Sequence, residues 1–158
     1  MRTDISVTVN GEPWLLTVES NDVLLETLRS KVGVKSPKIG CERGDCGSCT
    51  VLLDGHTVRS CLVLSVEVDG HEVVTLEGLH DEGLTELQQF FVDMNSFQCG
   101  FCAPGIVLAA AELLDENPKP TRADVQEAIG GNLCRCTGYD PIIDAVLASA
   151  ESAGRGNR

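Results

Sequence analysis

The stretch that decides the fold is Gly40-Cys41-Glu42-Arg43-Gly44-Asp45-Cys46-Gly47-Ser48-Cys49, closed at a distance by Cys61. Three thiols spaced C-x4-C-x2-C on one loop can meet only if the backbone curls around a common centre. Gly40, Gly44 and Gly47 permit such a curl, because glycine accepts positive φ without steric cost. Curled backbone also aims N–H groups inward, where they stabilise an anionic centre. Zinc sites favour paired C-x2-C knuckles, and this run does not form two of them.

The same spacing matches the plant-type [2Fe–2S] pattern, whose iron requires soft, electron-rich thiolate sulfur. A second group follows in Gln98-Cys99-Gly100-Phe101-Cys102 and Asn132-Leu133-Cys134-Arg135-Cys136-Thr137-Gly138-Tyr139. Cys134 and Cys136 would point apart on a helix, so a loop rather than a helix brings both to one centre. Gly130-Gly131 and Gly138 supply that loop. A disulfide between them would be strained, and a four-cysteine zinc site fits the C-x-C half poorly. The expectation is a second [2Fe–2S] cluster on Cys99, Cys102, Cys134 and Cys136. Pro104 and Pro141 would each start a helix near it, with free N–H groups favouring negative charge.

Outward from the cysteines, the chain changes character near residue 80. Ile5 to Asn10 alternates, Asn10-Gly11 marks a hairpin turn, and Trp14 to Val18 returns. Val23 to Lys31 predicts a short helix ending near Gly33. Thr50 to Leu53, Asp54-Gly55 and His56 to Arg59 predict a second hairpin. Leu62 to Val68 and Glu72 to Leu76 are strand-like. Strands with one packed helix suggest a small α+β roll. Later segments are helical: Leu84 to Met94, Pro104 to Asn117, Thr121 to Ile129 with Thr121 and Asp124 as a capping box, and Asp140-Pro141 through about Ala150. They predict a small helical bundle. Gly154 to Arg158 is expected to fray.

The composition narrows the function. Apolar residues at 42% and charged residues at 23% describe an ordinary globular chain. A net charge of −12 argues against nucleic acid or an anionic membrane as partner. No apolar run approaches the ~18 residues of a membrane span. Met1-Arg2-Thr3-Asp4 has no basic region leading into an apolar run, so the expected location is the cytoplasm. There, clustered reduced thiols point to metal or redox chemistry rather than disulfides.

Three motifs in order carry a family resemblance: Gly40-Cys41 with Gly44-x-Cys46-Gly47-x-Cys49-Thr50-Val51; Gln98-Cys99-Gly100-Phe101-Cys102 with Pro104-Gly105; and Gly131 through Tyr139. From residue 4 to about 150, the chain resembles the small iron–sulfur subunit of the molybdenum hydroxylases, the xanthine dehydrogenase and carbon monoxide dehydrogenase group. The resemblance implies a ferredoxin-like β-grasp domain (residues 1–78) and a small four-helix-bundle domain (residues 79–158), each with one [2Fe–2S] cluster. It implies that Gln98 and the Cys136 region contact molybdopterin on a large subunit. It also implies that electrons pass on through the ferredoxin-like cluster, usually to FAD on a medium subunit or else to another acceptor. The implied assembly is a heterotrimer, which could dimerise to a heterohexamer. Ala103 departs from the usual Thr or Ser, which removes a local hydroxyl.

Other readings are weaker. His56, His71 and His80 sit in turn-like regions, and a Rieske site would need histidines in place of cysteines already assigned. The glycine-rich loop lacks a P-loop ending. Arg43 and Arg135 are candidate tuning charges or solvated. Phe97 and Phe101 are expected in the core or as shields against water. A free-standing two-cluster ferredoxin and a structural zinc module remain the alternatives. The resemblance itself implies an electron-transfer subunit with no substrate chemistry of its own.

Overall fold

The computed structural model describes residues 1–79 and 83–156, so His80 lies outside the described residues. β1 (Arg2–Val9) and β2 (Glu12–Glu19) pair antiparallel in a register running from Arg2 opposite Glu19 to Val9 opposite Glu12. Asn10 and Gly11 take positive φ, the turn geometry whose twist matches a two-residue hairpin. β3 (Thr50–Leu53) and β4 (His56–Arg59) form the second hairpin around Asp54-Gly55. β5 (Glu72–Val74) lies between the hairpins, parallel to β1 and antiparallel to β3, giving the order β2-β1-β5-β3-β4.

Strand alternation buries Ile5, Val7, Val9, Leu16, Val18 and Val51 on one face. Against that face packs α1 (Leu24–Thr27), which widens into a π turn over Leu28–Val32 and stops at left-handed Gly33. Leu24 and Leu28 complete the core. Each buried aliphatic side chain there contributes about 1.5–3 kcal/mol.

The second half consists of α2 (Glu86–Asp93), α3 (Ala103–Glu116), α4 (Arg122–Ile129) and α5 (Asp140–Gly156). Phe91, Ile106, Val107, Ala110, Val125, Ile129, Ile142 and Val146 form its core. Thr121 and Asp124 cap α4 reciprocally. Arg122 then spans to Asp140 and, at 2.7 Å, to Asp144, tying α4 to α5. A mixed sheet followed by helices is the α+β class expected.

Several local expectations fail. Leu62 to Val68 is not a strand: it touches β structure only at a Val23–Leu64 bridge, then tightens into a 3-10 turn over Ser65–Val68. The Leu64 and Ser65 N–H groups are taken by the Glu67 carboxylate and the Asp22 carbonyl, so those two donors are lost to a strand ladder. β5 is shorter than its strand-like run, with another 3-10 turn at Leu76–Gly78. α5 continues beyond Ala150 to Gly156, and Asn157 and Arg158 of the stretch expected to fray lie outside the described residues. Phe97 does pack on the helical core, its ring 5.1 Å from that of Phe91; of the two readings given for Phe101, core or shield, its 46% exposure excludes only the core.

Candidate metal centres

All eight thiols are free and gather in two groups. In the sheet half, Cys49 Sγ and Cys61 Sγ stand 3.3 Å apart. Cys41 Sγ accepts N–H bonds from Arg43 and Cys46, each at 3.4 Å. A Cβ on Gly40 would lie 2.6 Å from Cys46 Sγ, so Gly40 provides space for a thiol. The N–H groups of Arg43 and Cys46 draw the Cys41 thiol down to about 7, whereas burial pushes Cys61 up to about 11. Leu62, 60% exposed, covers the loop at Gly44.

In the helical half, Cys99 Sγ and Cys136 Sγ are 3.7 Å apart and both residues are exposed. Cys102 is buried and serves as the N-cap residue of α3, which places a helix N-terminus at this group. Burial pushes its thiol up to about 12. Burial also acts on Cys134, but the Thr137 hydroxyl at 3.2 Å and nearby N–H groups outweigh it and hold that thiol low. The loop is fixed by Tyr139, whose hydroxyl accepts from Cys134 N at 2.9 Å and lies 3.3 Å from the Asn132 carbonyl. Gln98 Nε2 donates to the Cys136 carbonyl at 2.9 Å on the exposed rim.

The donor chemistry suits iron. Buried thiols such as Cys61 and Cys102 would stay protonated in an apolar pocket without a cation, and thiolate is the form a soft metal centre holds. Inward N–H groups at Cys41 and the helix N-terminus at Cys102 suit a net-negative cluster.

Between the groups lies a polar seam that sequence inspection did not single out. Leu133 N donates to the Cys46 carbonyl at 2.9 Å. Asn132, 1% exposed, donates Nδ2 to Gly47 O and Thr50 Oγ1 at 3.0 Å each. Its Oδ1 is buried with no partner. Gly47 has φ +72°, and a Cβ there would lie 2.4 Å from Gly131 O. From the sheet half, Lys38 places Nζ 5.4 Å from the centre of the Phe101 ring, between two cysteines of the second group. Burial and Arg29 hold the Lys38 ammonium below its ordinary value.

Of the described histidines, His56 and His71 pair with carboxylates rather than with the thiols. His71 pairs with Asp54. His56 lies 3.3 Å from Glu112, whose carboxylate also accepts from Thr57 N and links the second hairpin to α3. Glu116 completes a surface trio with these two. Arg43 pairs with Asp45 at 3.5 Å on the surface.

Two family models match. Residues 7–83 match the 2Fe-2S iron-sulfur cluster binding domain, and residues 75–147 match the [2Fe-2S] binding domain. The chain is 45% identical to the nicotine 6-hydroxylase small subunit of Paenarthrobacter nicotinovorans, over 99% of this chain and 94% of that one. It is 43% identical to the nicotinate dehydrogenase small FeS subunit of Eubacterium barkeri, over 93% and 94%. Among solved structures, it superimposes on a chain of quinoline 2-oxidoreductase from Pseudomonas putida 86 with a TM-score of 0.92 and 49% identity, covering 98% of each. It matches the aldehyde oxidoreductase of Desulfovibrio desulfuricans with the same TM-score of 0.92 and 42% identity, spanning 98% of this chain but 17% of that one.

Proposed function

This chain belongs to the small iron–sulfur subunits of the molybdenum hydroxylases, and from that premise we propose which of its residues carry the electron and in which direction. The subunit transfers electrons within an oxidoreductase complex. Cys41, Cys46, Cys49 and Cys61 hold one [2Fe–2S] cluster, and Cys99, Cys102, Cys134 and Cys136 hold the other. Each cluster supplies one-electron storage.

The chain's own residues do the rest. Buried Cys102 and Cys61 keep water from one side of each centre. Exposed Cys99, Cys136 and Gln98 form the entry rim, facing molybdopterin on a large subunit, with Gln98 fixing the Cys136 carbonyl. The hydrogen bond from Leu133 N to the Cys46 carbonyl links the residue before a second-group ligand directly to a first-group ligand. That bond is the observation that carries the reading, because it gives two cysteine groups a single short covalent and hydrogen-bonded connection. The sheet half then hands electrons to FAD on a medium subunit, in a heterotrimer that can pair into a heterohexamer. The domains divide at residues 78 and 79, with a ferredoxin-like β-grasp sheet before and a four-helix bundle after.

Electron paramagnetic resonance of the dithionite-reduced protein tests this. The parent should show two distinct rhombic signals. Cys49→Ala should remove one and Cys134→Ala the other, with about half the iron lost in each. Loss of both signals in either variant, or zinc in place of iron and sulfide, would overturn the assignment.

A further inference from the structure

Arg59, the last residue of β4, bridges the two halves. Its Nη1 donates to Thr50 Oγ1 at 2.7 Å and its Nη2 to the Gly131 carbonyl at 2.8 Å. Thr50 directly follows Cys49, and Gly131 opens the loop that leads through Asn132 and Leu133 to Cys134. One planar guanidinium therefore ties the residue after a first-group ligand to the approach of a second-group ligand.

The surrounding bonds all act in the same direction. Thr50 Oγ1, accepting from Arg59, passes its own hydrogen to the Gly47 carbonyl at 2.6 Å. Asn132 Nδ2 reaches the same two oxygens, although its own Oδ1 is left buried without a partner. Leaving such an oxygen unpaired costs about 1–3 kcal/mol, so the donor side of this amide is held at a real expense. Gly131 is shaped to the contact as well: a Cβ there would fall 2.3 Å from Arg59 Nη2. No ion pair engages Arg59 among the described residues, so its fork is committed to the seam.

We propose that Arg59 is a positioning residue for inter-cluster electron transfer: its fork presses the Gly131–Leu133 loop onto Thr50 and so maintains the Leu133 N to Cys46 O bond. In that step one electron leaves the helical-half cluster and enters the sheet-half cluster, and no bond or proton moves. This rests on the ligand assignment above.

The test uses the cluster-loaded protein with Arg59→Met, which keeps an unbranched stem but no donors, and Arg59→Lys, which keeps the charge but not the fork. Gly131→Ala serves as an independent probe, since it displaces the guanidinium while leaving the arginine in place. Iron and sulfide are measured first, then the spin–spin splitting between the two reduced clusters, then the inter-cluster rate after flash reduction. The expected result is full cluster content in every variant, with the splitting broadened or lost and the rate several-fold slower in Arg59→Met and Gly131→Ala. Arg59→Lys should fall between them and the parent, because one point donor replaces two. A parent splitting and rate in Arg59→Met and Gly131→Ala, with both clusters present, would overturn the proposal alone. A parent protein without two clusters would instead overturn the ligand assignment. Were Arg59→Met unable to load clusters, Arg59→Lys and Gly131→Ala would decide the matter by the same readouts.

Discussion

Replacing Gly47 by alanine should be far more damaging than the same change at Gly55, although both glycines have positive φ. Gly47 sits at φ +72° and Gly55 at φ +88°. An L-residue in left-handed backbone costs roughly 1–2 kcal/mol, and alanine stiffens the unfolded chain equally at both sites, so these effects cancel in the comparison. The surroundings do not cancel. A Cβ at Gly55 meets nothing within 4 Å. At Gly47 it would stand 2.4 Å from the Gly131 carbonyl oxygen, 2.7 Å from Asn132 Nδ2 and 2.8 Å from Asn132 Cα. Two of those atoms are backbone and cannot rotate away. Overpacking of that kind costs about 1–3 kcal/mol. Gly47→Ala should therefore lose about 2–5 kcal/mol and Gly55→Ala about 1–2 kcal/mol. At about 2–4 °C per kcal/mol for a chain of this size, the extra loss at Gly47 is several degrees of melting temperature. Melting is followed by far-ultraviolet circular dichroism on cluster-loaded protein, with the visible absorbance of the clusters read in parallel. Equal losses at the two positions would refute the reasoning, because the seam would then be slack enough to absorb a methyl group.

Lys38→Met should lower the midpoint potential of the helical-half cluster alone, since a cation beside Phe101 favours the more negative reduced form; a charge at such range, partly screened by solvent, shifts a potential by tens of millivolts. Lys38→Arg should restore the value, and potentiometric titration of the two resonance signals separates the clusters. Glu77→Gln removes a carboxylate that accepts from Lys35 N, Ser36 N and the Ser36 and Thr75 hydroxyls. Burial pushes this carboxyl up, but those donors outweigh it and bring it down to about 2. A depressed carboxyl stabilises the fold above its unfolded value, and the benefit fades as pH falls from about 4.5 toward about 2. Urea unfolding should thus show the parent ahead of Glu77→Gln at pH near 7 by about 1 kcal/mol after solvent screening, with the margin shrinking in acid. Thr85→Ala removes the cap of α2 and should cost about 1 kcal/mol by the same urea assay.

The cysteine spacings and the hairpin turns were legible because they are local. Asn10-Gly11 and Asp54-Gly55 specify their turns from two residues each, and the strand register follows. The Thr121 cap was visible for the same reason, whereas the Thr85 cap ending in Gln88 is an equally local signal that the polar run around it obscured. Leu62 to Val68 misled because apolar alternation describes a buried face without saying where its N–H groups go. Here they go to Glu67 and Asp22, and β5 occupies the place in the sheet.

The seam was illegible for a deeper reason. The bonds that cross it join residues 72 to 87 apart in sequence, as from Arg59 to Gly131 or from Leu133 to Cys46, and no periodic pattern reaches that far. Each participant also has a sufficient local explanation that hides the distant one. In the sequence Gly47 serves the curl of the cysteine loop, yet its missing side chain also admits the Gly131 carbonyl. In the sequence Gly131 gives the second cysteine loop freedom, yet in the fold it lacks positive φ and its absent Cβ is the space that Arg59 fills. Gly40 likewise lacks positive φ and yields room to Cys46. A glycine beside a cluster ligand thus has two separable physical uses, conformational freedom and close approach. Only the second couples one centre to the other, and a Cβ built in three dimensions is what tells them apart.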